Sequence, residues 1–369
     1  MQVIDIFKDI LSMESITPKD GGILEYIQNY LSDFQSEYFR KNGVSNLFLK
    51  KRFGEGIHLC LAGHVDVVPP GEGWKYPPFE AVEENGYIYG RGSQDMKSGV
   101  ASIVQALKEI DHFPGTLSLL LTSDEEGEAR YGTLMVLEEL AKRGELPDYA
   151  LVTEPTSEEV MGDVVKVGRR GSINGTITIQ GKQGHVAYPQ KSINPIHLIA
   201  NRLSKIAGYQ FDSGDDFFAP SQLVITDIRG GLEVTNVTPD NVKIMFNVRN
   251  STKTTIEDVE EHIRRVFDGL DYTLSISQSS KPFLTDSNSL IVEIVRESVE
   301  KICNTTPQLT TGGGTSDARF FAQYGTKVVE FGVKNDRIHS IDERTSIDEV
   351  EKLYRTIKTI LESEKWISG

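Results

Sequence analysis

Ile57-His58-Leu59-Cys60-Leu61-Ala62-Gly63 is a short apolar run that ends in His64-Val65-Asp66. Its reading, together with that of its counterparts further along, decides the fold. Leu117-Ser118-Leu119-Leu120-Leu121 runs into Thr122-Ser123-Asp124-Glu125-Glu126-Gly127, and Tyr149-Ala150-Leu151-Val152 runs into Thr153-Glu154-Pro155-Thr156. Lys327-Val328-Val329-Glu330-Phe331 leads through a short loop to His339. Apolar runs of this length, bounded by glycine and proline, predict buried strands. Helical stripes alternate with them, at Val3, Phe7, Ile10 and Leu11, at Ile23, Ile27 and Leu31, and most clearly at Val100, Ile103, Val104, Leu107 and Ile110. The alternation predicts a layered α/β sheet, and ligands of such sheets gather beyond the carboxyl ends of the strands.

The middle of the chain reads differently. Residues 171–180 alternate like a half-exposed strand, a helical pattern starts at Pro195, strands follow at 222–228 and 242–248, then a helix at 256–270 and a strand at 272–277. The order β-α-β-β-α-β predicts a ferredoxin-like α+β sandwich. Buried-strand patterns resume after Pro282, so the sandwich is expected as an insertion. The fold class is therefore α/β with two domains: a catalytic domain from 1–171 and 284–369, and an inserted domain over 172–283. A chain of 369 residues suits two cores better than one.

Composition narrows the function classes. The formal net charge of −15 argues against nucleic acid as a partner, because phosphate binding needs a basic surface. No apolar stretch is long enough to span a membrane, and Met1-Gln2-Val3-Ile4-Asp5 does not begin like a secretory signal. The only cysteines are Cys60, inside a predicted strand, and Cys303, which suits free thiols and a cytoplasmic location.

The strand ends carry the chemistry. His64, Glu126, Glu154 and His339 follow four apolar runs, and Asp95 lies in Gly90-Arg91-Gly92-Ser93-Gln94-Asp95-Met96-Lys97, ahead of a predicted helix. Two imidazoles with three carboxylates suit a pair of borderline divalent ions, zinc above all, with Asp95 bridging and one histidine and one carboxylate for each ion. Solvated loop acids are the alternative for any one of these residues, but five such coincidences are not expected. Glu125 and Glu126 are adjacent, so on an extended backbone they point apart. Glu126 is assigned to metal and Glu125 as general base, although a swap stays open. Asp66 is placed to accept the spare N–H of the His64 ring. The remaining histidines, His58, His112, His197 and His262, lie on predicted strands or helices without ligand company and read as structural or solvated.

These segments resemble the M20 metallopeptidase family over nearly the whole chain. Gly63-His64-Val65-Asp66-Val67-Val68-Pro69-Pro70-Gly71 is similar to its first metal loop, the Asp95 segment to its bridging segment, and Glu125-Glu126-Gly127, Glu154-Pro155-Thr156 and Ile338-His339 to the rest of the set. Thr153 and Ser98 depart from glycines common in the family, without removing a ligand or the base. The resemblance implies two divalent metal ions, with cobalt able to replace zinc, and a homodimer whose inserted domain serves as lid and dimerisation surface. It implies that His185, in Gly184-His185-Val186-Ala187-Tyr188-Pro189, reaches the other subunit's site and steadies the oxyanion. It also implies substrate contacts from Arg169, Ser172, Asn236, Arg249, Gly314, Thr315 and Asn335. The implied reaction is hydrolysis of a small dicarboxylate amide, N-succinyl-L,L-2,6-diaminopimelate, to succinate and L,L-diaminopimelate. Acetylornithine deacetylation and glutamate-releasing carboxypeptidase activity share every metal ligand and stay open, as does an inactive metal-binding scaffold.

Overall fold

The computed structural model describes residues 2–368. They form two compact units, the first from Met1–Gly168, Thr285–Thr310 and Ser316–Gly369, the second from Arg169–Leu284 with Thr311–Thr315. The expected joins at 171/172 and 283/284 differ from these by a few residues. Segment Thr311–Thr315, expected with the catalytic layer, groups with the second unit. Two contacts explain this: Arg169 Nη1 donates to the carbonyls of Gly312 (3.2 Å) and Gly314 (3.3 Å), and Thr311 Oγ1 donates to the carbonyl of Phe217 (2.5 Å).

The first unit is built on an eight-stranded mixed sheet. Its strand order is Gln35–Lys41, Val44–Arg52, Gly115–Thr122, Ile57–His64, Tyr149–Val152, Lys327–Glu330, Val164–Lys166 and Gln308–Thr310. Four neighbours in the middle, from Gly115–Thr122 to Lys327–Glu330, run parallel. Their register sets His64 opposite Thr122, Ala62 opposite Val152, and Val152 opposite Glu330. The carboxyl ends therefore line up along one edge, and each delivers the loop that follows it to the same place. Leu59, Leu61, Leu117, Leu119, Ala150, Leu151, Val328 and Val329 are buried. A parallel strand covered on both faces has no solvent side, which is why these runs are continuously apolar rather than alternating. Val3–Leu11, Ser98–Glu109 and Ile347–Leu361 pack on one another, while Thr133–Arg143 packs with Ala318–Gln323. Cys60 and Cys303 are free.

The second unit has a four-stranded antiparallel sheet in the order Gln222–Gly230, Asn241–Arg249, Ser172–Gln180 and Tyr272–Ser280. Its buried face, with Ile173, Ile177, Ile179, Ile244 and Phe246, packs with Ile199, Ile263 and Phe267 of the helical segments. Gly175 is required here, because a Cβ would strike the ring of Phe246 lying across it. Asn194 caps helix Pro195–Leu203 through the Ile196 N–H (3.0 Å), and Thr255 with Asp258 forms a capping box on Ile256–Val266. That helix stops at Val266, short of residue 270, ahead of a turn in which Gly269 takes φ +78°. Among the described residues, no helix is long and apolar enough to cross a membrane.

Candidate active site

His64 closes the strand Ile57–His64, and its ring is fixed by its own chain. Nδ1 lies 2.8 Å from the backbone carbonyl of Asp66, so the N–H donates there and Nε2 faces Asp95 Oδ1 at 3.0 Å. The sequence expectation gave this N–H to the Asp66 carboxylate, whose nearer oxygen is 3.7 Å away. The backbone turns after His64 and brings the carbonyl closer. The carboxylate serves the neighbouring loop instead, accepting the backbone N–H groups of Glu125 (3.4 Å) and Glu126 (3.2 Å). Burial lifts its pKa to about 6.

Asp95 sits in the tight turn Ser93–Lys97 that enters helix Ser98–Glu109. One of its oxygens faces His64, and the other lies 3.5 Å from His339 Nε2. His339 Nε2 is also 2.8 Å from Glu126 Oε1, and Glu154 Oε1 is 4.0 Å from His64 Nε2. The structure thus brings the five sequence-derived candidates together in two halves, His64 with Glu154 and His339 with Glu126, joined through Asp95. Ligating atoms of His64, Asp95 and Glu126 all lie within 4.8 Å of one another.

The electrostatics describe a site that favours positive charge. Burial, together with the charges of Asp317, Asp95 and Glu126, pushes the Glu125 carboxyl well above its usual range, against the pull of His64. Burial and the charge of Asp95 do the same to Glu154. Burial opposes a charge on His64, yet its hydrogen bond to Asp95 and the field of Glu154 prevail and hold its pKa well above normal. Hydrogen bonds to Asp95 and Glu126 raise His339 to about 10. Two nitrogen and three carboxylate donors facing one another, with carboxylates repelling in a buried setting, fit a pair of divalent cations.

Glu125 lies beside Glu126 in a turn, not on the extended backbone assumed from sequence. Asn335 belongs to the same unit, where its N–H donates to the carbonyl of Ser157 (3.0 Å). The other expected residues belong to the second unit. His185 is exposed on the short strand Gly184–His185, which pairs with Val237–Thr238, and its Nδ1 accepts the Ala187 N–H at 3.1 Å. Asn236 beside it is exposed and accepts the Val186 N–H through its carbonyl (3.1 Å). Ser172 Oγ accepts from Asn247 Nδ2 (2.9 Å), and Arg249 ends its strand exposed. Arg169 is buried and braces the glycine loop that contains Gly314 and Thr315.

Sequence reasoning missed Arg91 and Glu343, which are buried and ion-paired at 2.7 Å. The signal for Arg91 was an arginine between two glycines, four residues before Asp95. Nothing in the sequence paired it with Glu343. Asp317 was also missed; it is buried, which raises its pKa, and its charge acts on Glu125. A cavity of about 800 Å³ lined by Ile57, Tyr149 and Lys327 lies at the amino ends of the same strands, away from this chemistry.

The sequence profile of peptidase family M20/M25/M40 matches residues 60–363. A succinyl-diaminopimelate desuccinylase from a Nitratiruptor species is 62% identical, over 98% of this chain and 100% of that protein. The protein of the same description from Wolinella succinogenes is 59% identical, over 96% of this chain and 98% of its own. Among solved structures, a Bacillus cereus aminopeptidase superposes with a TM-score of 0.81 at 22% identity, covering 100% of this chain and 98% of that one. A Bacillus subtilis protein described as a dinuclear metal-binding peptidase of the M20 family superposes with a TM-score of 0.74 at 15% identity, covering 99% and 97%. These likenesses extend the shared fold across both units. With a family match that starts in the His64 strand and runs past the last long helix, and relatives that align almost end to end, the chain belongs to peptidase family M20/M25/M40.

Proposed function

We propose that the chain hydrolyses N-succinyl-L,L-2,6-diaminopimelate to succinate and L,L-diaminopimelate in the cytoplasm, using two divalent metal ions, zinc or its substitute cobalt. The observation that carries the reading is the placement of His64 and His339 on the two oxygens of Asp95, with Glu154 beside His64 and Glu126 beside His339. The relatives described as succinyl-diaminopimelate desuccinylases support the substrate class. His64, Glu154 and Asp95 would hold one ion, and His339, Glu126 and Asp95 the other. When bound, the ions supply a water of lowered pKa and polarise the acyl oxygen.

The chain's own residues do the rest. Glu125 takes a proton from the attacking water and passes it to the amine nitrogen as the C–N bond breaks. A carboxylate can act as base in the first of these steps and as acid in the second. Asp66 keeps the Glu125–Glu126 turn in place through two backbone N–H groups. In a homodimer, His185 of the partner subunit donates to the developing oxyanion. Substrate carboxylates are met by Arg249, Ser172, Asn236, Asn335 and the Gly314–Thr315 backbone, with Arg169 holding that loop's shape.

The test compares N-succinyl-L,L-diaminopimelate with N-acetylornithine, on zinc-loaded and chelated protein. Zinc-dependent release of succinate with little acetate is expected. Release of acetate alone would keep the metal mechanism and discard the substrate; turnover unaffected by chelation would discard the mechanism.

A further inference from the structure

Outside the ligands, one buried ion pair touches three of the segments that carry them. Arg91 and Glu343 are 2% and 0% exposed. Besides the Arg91 Nη1 donor at 2.7 Å, the Glu343 carboxylate accepts the backbone N–H groups of Gly92 (3.1 Å), Gln94 (2.8 Å) and Asp95 (3.2 Å). The guanidinium also donates to the carbonyls of Ser340 (3.2 Å) through Nη1 and of Pro70 (3.2 Å) and His339 (3.3 Å) through Nη2. It also lies over the ring of Trp74, 5.2 Å from the centroid, and Trp74 Nε1 donates to the same Pro70 carbonyl (2.8 Å). Pro70 follows His64, Gly92–Asp95 is the bridging segment, and His339–Ser340 carries the last ligand.

We propose that the Arg91–Glu343 pair is a positioning device for the second metal. It locks the Asp95 backbone and the His339 loop into one frame, so that one oxygen of Asp95 faces His64 and the other faces His339. The proposal rests on reading His64, Asp95, Glu126, Glu154 and His339 as ligands.

Burying an ion pair is a poor way to gain stability, because desolvation offsets much of the attraction. Such a pair makes sense where its many directed hydrogen bonds fix a geometry. Here one side chain holds three N–H groups of a single loop and the other holds three carbonyls. Only Arg91 Nε is left without a partner.

The two halves of the site depend on the pair unequally. His64 ends a central strand and its ring is held by the Asp66 carbonyl, and Glu154 follows the adjoining strand Tyr149–Val152. Neither side chain touches the pair, so the first half shares with it only Asp95. His339 stands in a loop, in the left-handed region at φ +59°, with its side chain 46% exposed. Asp342, next to Glu343, is left-handed as well, at φ +56°. A backbone in that region persists only when its surroundings hold it. Loss of the pair therefore releases the His339–Glu126 half first.

The experiment is a calorimetric zinc titration of the full-length, chelator-stripped protein beside Glu343→Gln and Arg91→Lys. Thermal unfolding of each metal-free protein and kcat as a function of added zinc are measured in parallel. Arg91→Lys keeps the charge opposite Glu343 and removes only the fork that reaches Pro70, His339 and Ser340. The unaltered chain should bind two equivalents. In both variants the first equivalent should stay within about threefold while the second weakens about 10- to 100-fold, as for other groups that orient metal ligands. Excess zinc should then restore much of the lost kcat. Two unchanged equivalents overturn the proposal. So does equal weakening of both with a lower unfolding temperature, or failure of both variants to fold, since either makes the pair a general structural element. No zinc binding by the unaltered chain would overturn the ligand reading itself, and this inference with it.

Discussion

Gly332 lies just past the strand Lys327–Glu330, where the chain passes close behind the backbone of the candidate ligand Glu154. An ideal Cβ built on it lies 2.9 Å from the Glu154 carbonyl carbon and 2.9 Å from the Thr153 carbonyl oxygen, and closer still to the Glu154 oxygen. These are backbone atoms, which cannot swing aside as a side-chain tip can. Gly332 cannot retreat either. Its N–H donates to Thr156 Oγ1 (3.1 Å), its carbonyl accepts from Ser157 Oγ (2.8 Å), and the preceding N–H, on Phe331, donates to Val152 (3.0 Å). Restoring ordinary van der Waals separation at Gly332→Ala requires Glu154 to move by about 1 Å. Overpacking of this kind costs about 1–3 kcal/mol, and the tethered surroundings place it toward the upper end. A misplacement of about 1 Å at a reacting centre costs about 100-fold in rate. Gly332→Ala should therefore lose about 100-fold in kcat on the succinylated substrate and unfold several degrees lower. Gly54→Ala is the control, because its added methyl meets nothing nearer than 3.8 Å. A Gly332→Ala protein with native kcat and native unfolding temperature would refute the claim that this close approach places Glu154.

Three other outcomes follow from the site and its surroundings. Glu125→Gln should lower kcat by about 10²- to 10⁴-fold with metal content unchanged by elemental analysis; loss of metal would instead make Glu125 a ligand. His185→Ala should lower kcat by about 10²- to 10³-fold at intact metal content, and mixing it with Glu125→Gln subunits should restore some activity if the histidine acts across a dimer. Burial, helped by the charge of Lys50, depresses His58 to about 4, below its ordinary 6.5. The unfolded chain therefore binds the extra proton first, so stability is highest above pH 6.5 and falls as pH drops towards 4. The loss is at most about 3 kcal/mol, and less to the extent that water reaches the ring. His58→Gln should flatten that part of the stability–pH curve in denaturant titrations, and an unchanged slope would remove His58 as its source.

The parts of the site legible in the sequence are those in which a ligand sits next to the strand that delivers it. His64 closes its apolar run, Glu126 and Glu154 follow theirs within a few residues, and parallel register brings the ends together without further instruction. The helix after Asp95 was legible from its own periodicity. Contacts made by backbone atoms were not. The carbonyl that fixes the His64 ring belongs to every residue type alike, so the sequence pointed to the nearby carboxylate of Asp66 instead. The grouping of Thr311–Thr315 with the second unit depends on carbonyls too, those that accept from Arg169.

Arg91 and Glu343 were illegible for a different reason: they are 252 positions apart, and each taken alone looks like a loop charge. This separates two kinds of information in the chain. Residue type at a strand end states which atoms can bind a cation, and five such atoms suffice to identify the chemistry. Whether those atoms hold still is decided by what accepts and donates behind them. For His64 that support is the sheet itself. For His339 it is a distant arginine and a glutamate whose carboxylate meets four donors. A substitution that leaves all five candidate ligands intact should thus still weaken the His339–Glu126 half, because His339 stands in a loop that no strand supports.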